Sequence, residues 1–78
     1  MSYDYYAEAN RLAAMLSNEC LNDWAKKISS PMEEGVTATE ILMMLRWNLG
    51  NFLSAEVGSE EVMVCAKELY QRIDDALS

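Results

Sequence analysis

Two cysteines, thirteen carboxylates and no histidine are the side chains of this 78-residue chain on which chemistry would have to rest. Cys20 and Cys65 stand far apart with no C-x-x-C, so their spacing supports neither a zinc site nor a redox pair. Without histidine, a nucleophile would need a lysine or carboxylate base beside a serine, threonine or cysteine, and no local motif supplies one. Thirteen carboxylates form close pairs by chance, which leaves a glycosidase-like reading without specificity, and a di-iron bundle also wants Glu-x-x-His. No P-loop and no Gly-x-Gly-x-x-Gly run occurs. The expectation is a protein that is not an enzyme, with no catalytic residue, no metal ligand and no cofactor.

Binding is the chemistry that remains. Met43, Met44 and Trp47 are large apolar residues outside the main stripe of their segment, and Glu33 and Glu34 stand side by side in a predicted loop. Apolar anchors with a charged rim are the anatomy of a protein interface. The competing expectation is that the N-terminal helix or the 29–36 loop covers Trp47 and both methionines, and that the glutamates are simply solvated.

The element that must position these residues runs from Thr37 to Leu53. Thr37 and Glu40 have the T-x-x-E spacing of a capping box, so a helix is predicted to start at Ala38. Ala38, Ile41, Leu42, Leu45, Leu49, Phe52 and Leu53 follow helical spacing and make one wide apolar face. With Met43, Met44 and Trp47 the helix is apolar on nearly all sides, and periodicity alone does not say which face is inward. Gly50 inside it costs about 1 kcal/mol relative to alanine, and close approach of another helix, or a kink there, would account for it.

Three further helices are predicted around this one. The first runs from about Tyr5 to Ser17, capped by Ser2 or Asp4, with Tyr5, Ala9, Leu12, Ala13 and Leu16 inward; Tyr5 closes the end of the core. No glycine or proline follows Ser17-Asn18, so this helix either turns or continues with a bend. The second is short, Glu19 to Ser29, with Leu21, Trp24, Ala25 and Ile28 on one side and Trp24 as a core anchor. Pro31 is expected to stop it, because the residue before proline is pushed out of the α region, and Ser29 to Val36 reads as the main loop, with a helical turn after Pro31 ended by Gly35. Gly58 suits a left-handed helix cap and Ser59 the next N-cap. The last helix, Glu60 to about Ala76, buries Val62, Cys65, Ala66, Leu69 and Ile73. Asp74 and Asp75 oppose the helix dipole at its C-terminal end, which points to fraying or to carboxylates kept for binding. Residues 1–78 are thus expected to form a single all-α domain, a small up-and-down bundle of four helices with the second helix short.

Thirteen acidic against six basic residues give a net charge of −7. The sequence pI is near 4.3. Phosphate backbones are held by clustered lysine and arginine, which this chain lacks beyond one Lys-Lys pair, so nucleic acid is not an expected ligand. An anionic membrane surface is disfavoured for the same reason, and no apolar run is long enough to span a bilayer. The absence of a signal peptide and of paired cysteines favours the cytoplasm. A basic protein would be attracted and steered, although net charge of this size also serves plain solubility.

The run T-A-T-E-I-L-M-x-L-R-W, Thr37 to Trp47, preceded by Asp23-Trp24-Ala25, resembles a group of short bacterial proteins, some of them associated with toxin-immunity loci. The likeness covers about the middle half of the chain and brings no catalytic signature and no site residue with it. It implies an immunity-type protein that neutralises a basic toxin or nuclease, with carboxylates such as Glu33 and Glu34 blocking its groove and Met43, Met44 and Trp47 as anchors. The alternative expectation is a homodimeric structural or adaptor bundle in which Met43, Trp47 and the N-terminal tyrosines complete the core across a two-fold axis.

Overall fold

The computed structural model describes residues 3–34 and 37–78; Met1, Ser2, Gly35 and Val36, and with them Ser2 as a cap and Gly35 as a terminator, lie outside the described residues. Among those described, four helices make up the fold: α1 (Tyr5–Asn18), α2 (Asn22–Glu34), α3 (Ala38–Ala55) and α4 (Glu60–Leu77). Each packs on its neighbours in the chain and α4 returns to α1, while the backbones of the diagonal pairs, α1 with α3 and α2 with α4, stay apart across the core. This is an up-and-down four-helix bundle. An 18-residue helix is about 27 Å long, close to the 29 Å long axis of the molecule, so α3 and α4 span it from end to end.

Three N-caps behave as their residue types dictate. Asp4 accepts from the Ala7 N–H at 3.0 Å, Thr37 from the Glu40 N–H at 3.1 Å, and Ser59 from the Val62 N–H at 3.4 Å. Inward residues come from all four helices: Ala9, Leu12 and Leu16; Ala25, Ile28 and Pro31; Leu45, Leu49 and Phe52; Val62, Ala66, Leu69 and Ile73. No polar or charged side chain is buried among the described residues. Trp24 is half-buried, its ring set edge-on to Phe52 at 5.4 Å, with the Lys27 ammonium over the ring at 4.6 Å. No helix in the described residues is long and apolar enough to cross a membrane.

Four expectations are corrected. First, α1 ends without glycine: Cys20 takes the left-handed conformation with φ 64°. The Leu21 N–H then donates to the Leu16 carbonyl at 2.9 Å and the Cys20 N–H to that of Ser17 at 3.0 Å. That pair of bonds is a Schellman motif, and Leu16 and Leu21, both turned to the core, are its apolar clasp. The second helix therefore begins at Asn22 rather than Glu19.

Second, α2 runs straight through Pro31 to Glu34, so residues 29–34 are helix and not loop. Proline has no N–H, which leaves the carbonyl of Lys27, four residues earlier, without its helical partner. Asn48 of α3 fills the gap, its side-chain amide donating to that carbonyl at 2.8 Å. Buried against the core, the Pro31 ring also gains contacts that favour its place in the helix.

Third, α3 is capped by Glu56 in the left-handed region, φ 51°, two residues before Gly58. Gly58 is needed for space instead: a Cβ there would lie 2.9 Å from Phe52 Cζ and 3.1 Å from Val62 Cγ1. Fourth, Asp74 does not mark a frayed end, because the Arg46 guanidinium of α3 donates to its carboxylate at 3.1 Å and holds α4 to α3.

Candidate functional site

The geometry of α3 separates its two apolar faces. Leu45, Leu49 and Phe52 point to the bundle axis with no exposed surface, and Ile41, Leu42 and Leu53 are half-buried beside them. α2 and α4 flank this helix and α1 lies diagonally opposite, which leaves the fourth side of α3 to solvent. Met43, Met44 and Trp47 occupy that side, 51%, 39% and 72% exposed. Neither α1 nor the 29–34 segment covers them, contrary to the competing expectation. A tryptophan this open leaves most of its surface in water, although a large aromatic is among the costliest side chains to leave there.

Met43, Trp47, Gly50 and Ser54 succeed one another along the exposed side and, with Tyr70 of α4, line an open depression of about 730 Å³. Gly50 is its floor. A Cβ added there would sit 3.5 Å from the edge of the Tyr70 ring, an ordinary contact, so packing inside the chain does not require glycine. The one charged residue lining the depression, Arg46, is neutralised by Asp74. Between Ile41 and Ala55 there is no carboxylate.

The two glutamates predicted as a pair part company. Glu34, at the end of α2, borders a second hollow with Met44, Asn48, Lys27 and Asp23. Glu33 turns to the other flank of α2, beside Ala13, Ser17 and Ser29. The structure thus brings Met43, Met44 and Trp47 together, sets Glu34 at their edge and leaves Glu33 apart. The charged border is of mixed sign. Gly50 and Tyr70 were not among the expected site residues; the signal for Gly50 was its place three residues after Trp47, on the same face of the helix.

The N-terminal tyrosines are not part of this face, since α1 lies across the core from α3. Tyr3 and Tyr5 meet edge-on at 5.0 Å, the Arg72 guanidinium lies over Tyr3 at 4.8 Å, and both rings pack on the core. Burial pushes the Tyr3 phenol up from its ordinary value; Glu8 and Glu68 add to the rise and Arg72 opposes it. Burial likewise pushes up the Cys65 thiol, with Arg11 opposing and Glu8, Glu68 and Glu61 adding. Cys20 is exposed. No three His, Cys, Asp or Glu side chains among the described residues are grouped to hold a metal ion.

No protein-family model matches the chain, no curated protein matches it, and no solved structure matches it.

Proposed function

We propose that this chain is a small, non-catalytic protein-binding module of the immunity or inhibitor type, which docks a basic protein through the outward side of α3. The carrying observation is Trp47, 72% exposed between Met43 and Met44 on an otherwise well-packed bundle. Exposed aromatic and methionine side chains around a hollow supply binding energy once a partner excludes water from them. The net charge of −7 supplies the other half of the reading. Charge acts at long range, so it speeds the encounter with a basic toxin or nuclease, while the neutral face of α3 makes the contact itself. Two free thiols are in keeping with a reducing compartment such as the cytoplasm.

The test is capture by the tagged full chain from lysate of its own cells at low and high salt, with Trp47→Ser as the matched bait. A basic protein retained by the native chain, weakened by salt and lost with Trp47→Ser, is the expected result. With that partner in hand, Glu33→Lys combined with Glu34→Lys slows association and flattens its salt dependence, whereas Trp47→Ser speeds dissociation. Equal retention by the native and Trp47→Ser baits would overturn the docking face. Retention of acidic or neutral proteins alone would overturn the basic partner.

A further inference from the structure

We infer that, in the absence of its partner, the outward side of α3 is covered by a second copy of the same chain, Trp47 of each protomer entering the notch over Gly50 of the other. The inference rests on the reading of this side as a docking face and names what occupies it in the free protein.

Charge selects the occupant. Two copies that each carry −7 repel over most of their surfaces. α2 and α4 bear exposed carboxylates along their length, among them Glu33, Glu34, Glu60, Glu61, Glu68 and Asp75, and α1 carries Glu8 alone, half-buried in an ion pair with Arg11. From Ile41 to Ala55 α3 bears none, and its one cation is closed by Asp74. Like surfaces therefore meet without like-charge opposition on this side of the molecule.

Shape then fixes the register. A two-fold contact is isologous: if residue i touches residue j of the other copy, j touches i. Trp47 projects and Gly50 recedes on the same side of the helix, one turn apart. An antiparallel crossing of two α3 helices, centred between these positions, seats each tryptophan over the other copy's Gly50 and against its Tyr70. The same operation sets Met43 opposite Ser54. Glycine at 50 has no role inside the chain, where a methyl group would fit; it has one here, because it lets the opposing indole approach the backbone. Nine residues line the depression, against about 20–30 a side in a standard interface. The pairing is accordingly weak, and a tighter-binding partner displaces it.

Sedimentation equilibrium of the purified full chain, from about 10 μM to about 1 mM, tests the pairing directly. The mean mass is expected to rise with concentration from 8.8 kDa toward twice that value. Trp47→Ser removes the projection and Gly50→Glu fills the notch; Trp47 is exposed and Gly50 half-buried beside Tyr70, and circular dichroism checks that each variant keeps its helices. Each is expected to raise the dissociation constant at least tenfold. An equimolar mixture of the two retains one intact tryptophan-to-glycine contact per heterodimer, so it is expected to be heavier than either variant alone. A native chain that stays at 8.8 kDa throughout overturns the inference. A mixture no heavier than its components overturns the register. Both results are independent of whether a basic protein is captured from lysate, which tests the docking reading by itself.

Discussion

Pro31 and Asn48 show how one side chain completes another residue's backbone. The helix hydrogen bond that proline cannot make is replaced by the Asn48 amide on the Lys27 carbonyl. A hydrogen bond of this kind contributes about 1 kcal/mol. Asn48→Ala is therefore expected to destabilise the chain by about that amount in urea unfolding. In a Pro31→Ala background, where the introduced alanine supplies its own N–H to the Lys27 carbonyl, the same substitution should cost close to nothing; an unchanged cost would remove the link between the two residues.

Cys65 makes a separate prediction at this scale. Burial disfavours its thiolate, so the unfolded chain, with a thiol nearer its ordinary value of 9.0, ionises first as pH rises. Stability is complete below that value and is lost as pH climbs through the raised value of the folded state. Thermal unfolding followed from about pH 8 to pH 10 should show a falling Tm, and Cys65→Ala should flatten the fall. Tyr3, whose ordinary value is 10.0, contributes in the same direction at the upper end and is unchanged by that variant.

At the scale of elements, the joints are tied to each other as well as to their own helices. Glu19, in the turn between α1 and α2, accepts from the Ser59 N–H at 3.0 Å and from the Ser59 hydroxyl. Its charge thus lies at the positive end of α4, where a carboxylate on unsatisfied N–H groups stabilises a helix by about 0.3–1 kcal/mol. Glu19→Ala should release the first turn of α4 while leaving its centre intact. Hydrogen exchange would rise at the amides around Ser59 and Val62 with little change at Leu69; uniform protection across α4 in the variant would deny Glu19 this role. The Cys20 turn belongs to the same end of the bundle. Its left-handed residue costs about 1–2 kcal/mol, offset by two backbone hydrogen bonds and by Leu21 settling on the core. Sequence signals favour glycine at such a position, which is why the turn reads from the chain as a bend.

At the scale of the whole molecule, the four helices, their single core and most of the residues that fill it were legible in the sequence. Helical spacing of Leu12 and Leu16, of Leu45, Leu49 and Phe52, and of Val62, Leu69 and Ile73 reflects burial on one side of a 3.6-residue turn, a local property. The caps at Asp4, Thr37 and Ser59 were legible for the same reason, since each bond spans only three residues. Met43, Met44 and Trp47 were legible as candidates because they fall off the main stripe. Whether they were covered was not, because α3 is apolar on both sides and no periodicity ranks one side over the other.

Tertiary structure decided what local spacing leaves open. Placing α1 diagonally across from α3 turned Trp47 to solvent, and parting Glu33 from Glu34 left the exposed apolar face with a border of mixed sign. The continuation of α2 past Pro31 hangs on Asn48, 17 positions beyond it, and the start of α4 on Glu19, 40 positions before Ser59. Partners so distant in the chain meet only when the helices pack. The sequence by itself determined which segments are helical and where most of them begin, because those interactions close within a turn; the packed bundle alone decided which apolar face is left for a partner, because that depends on what each helix finds beside it.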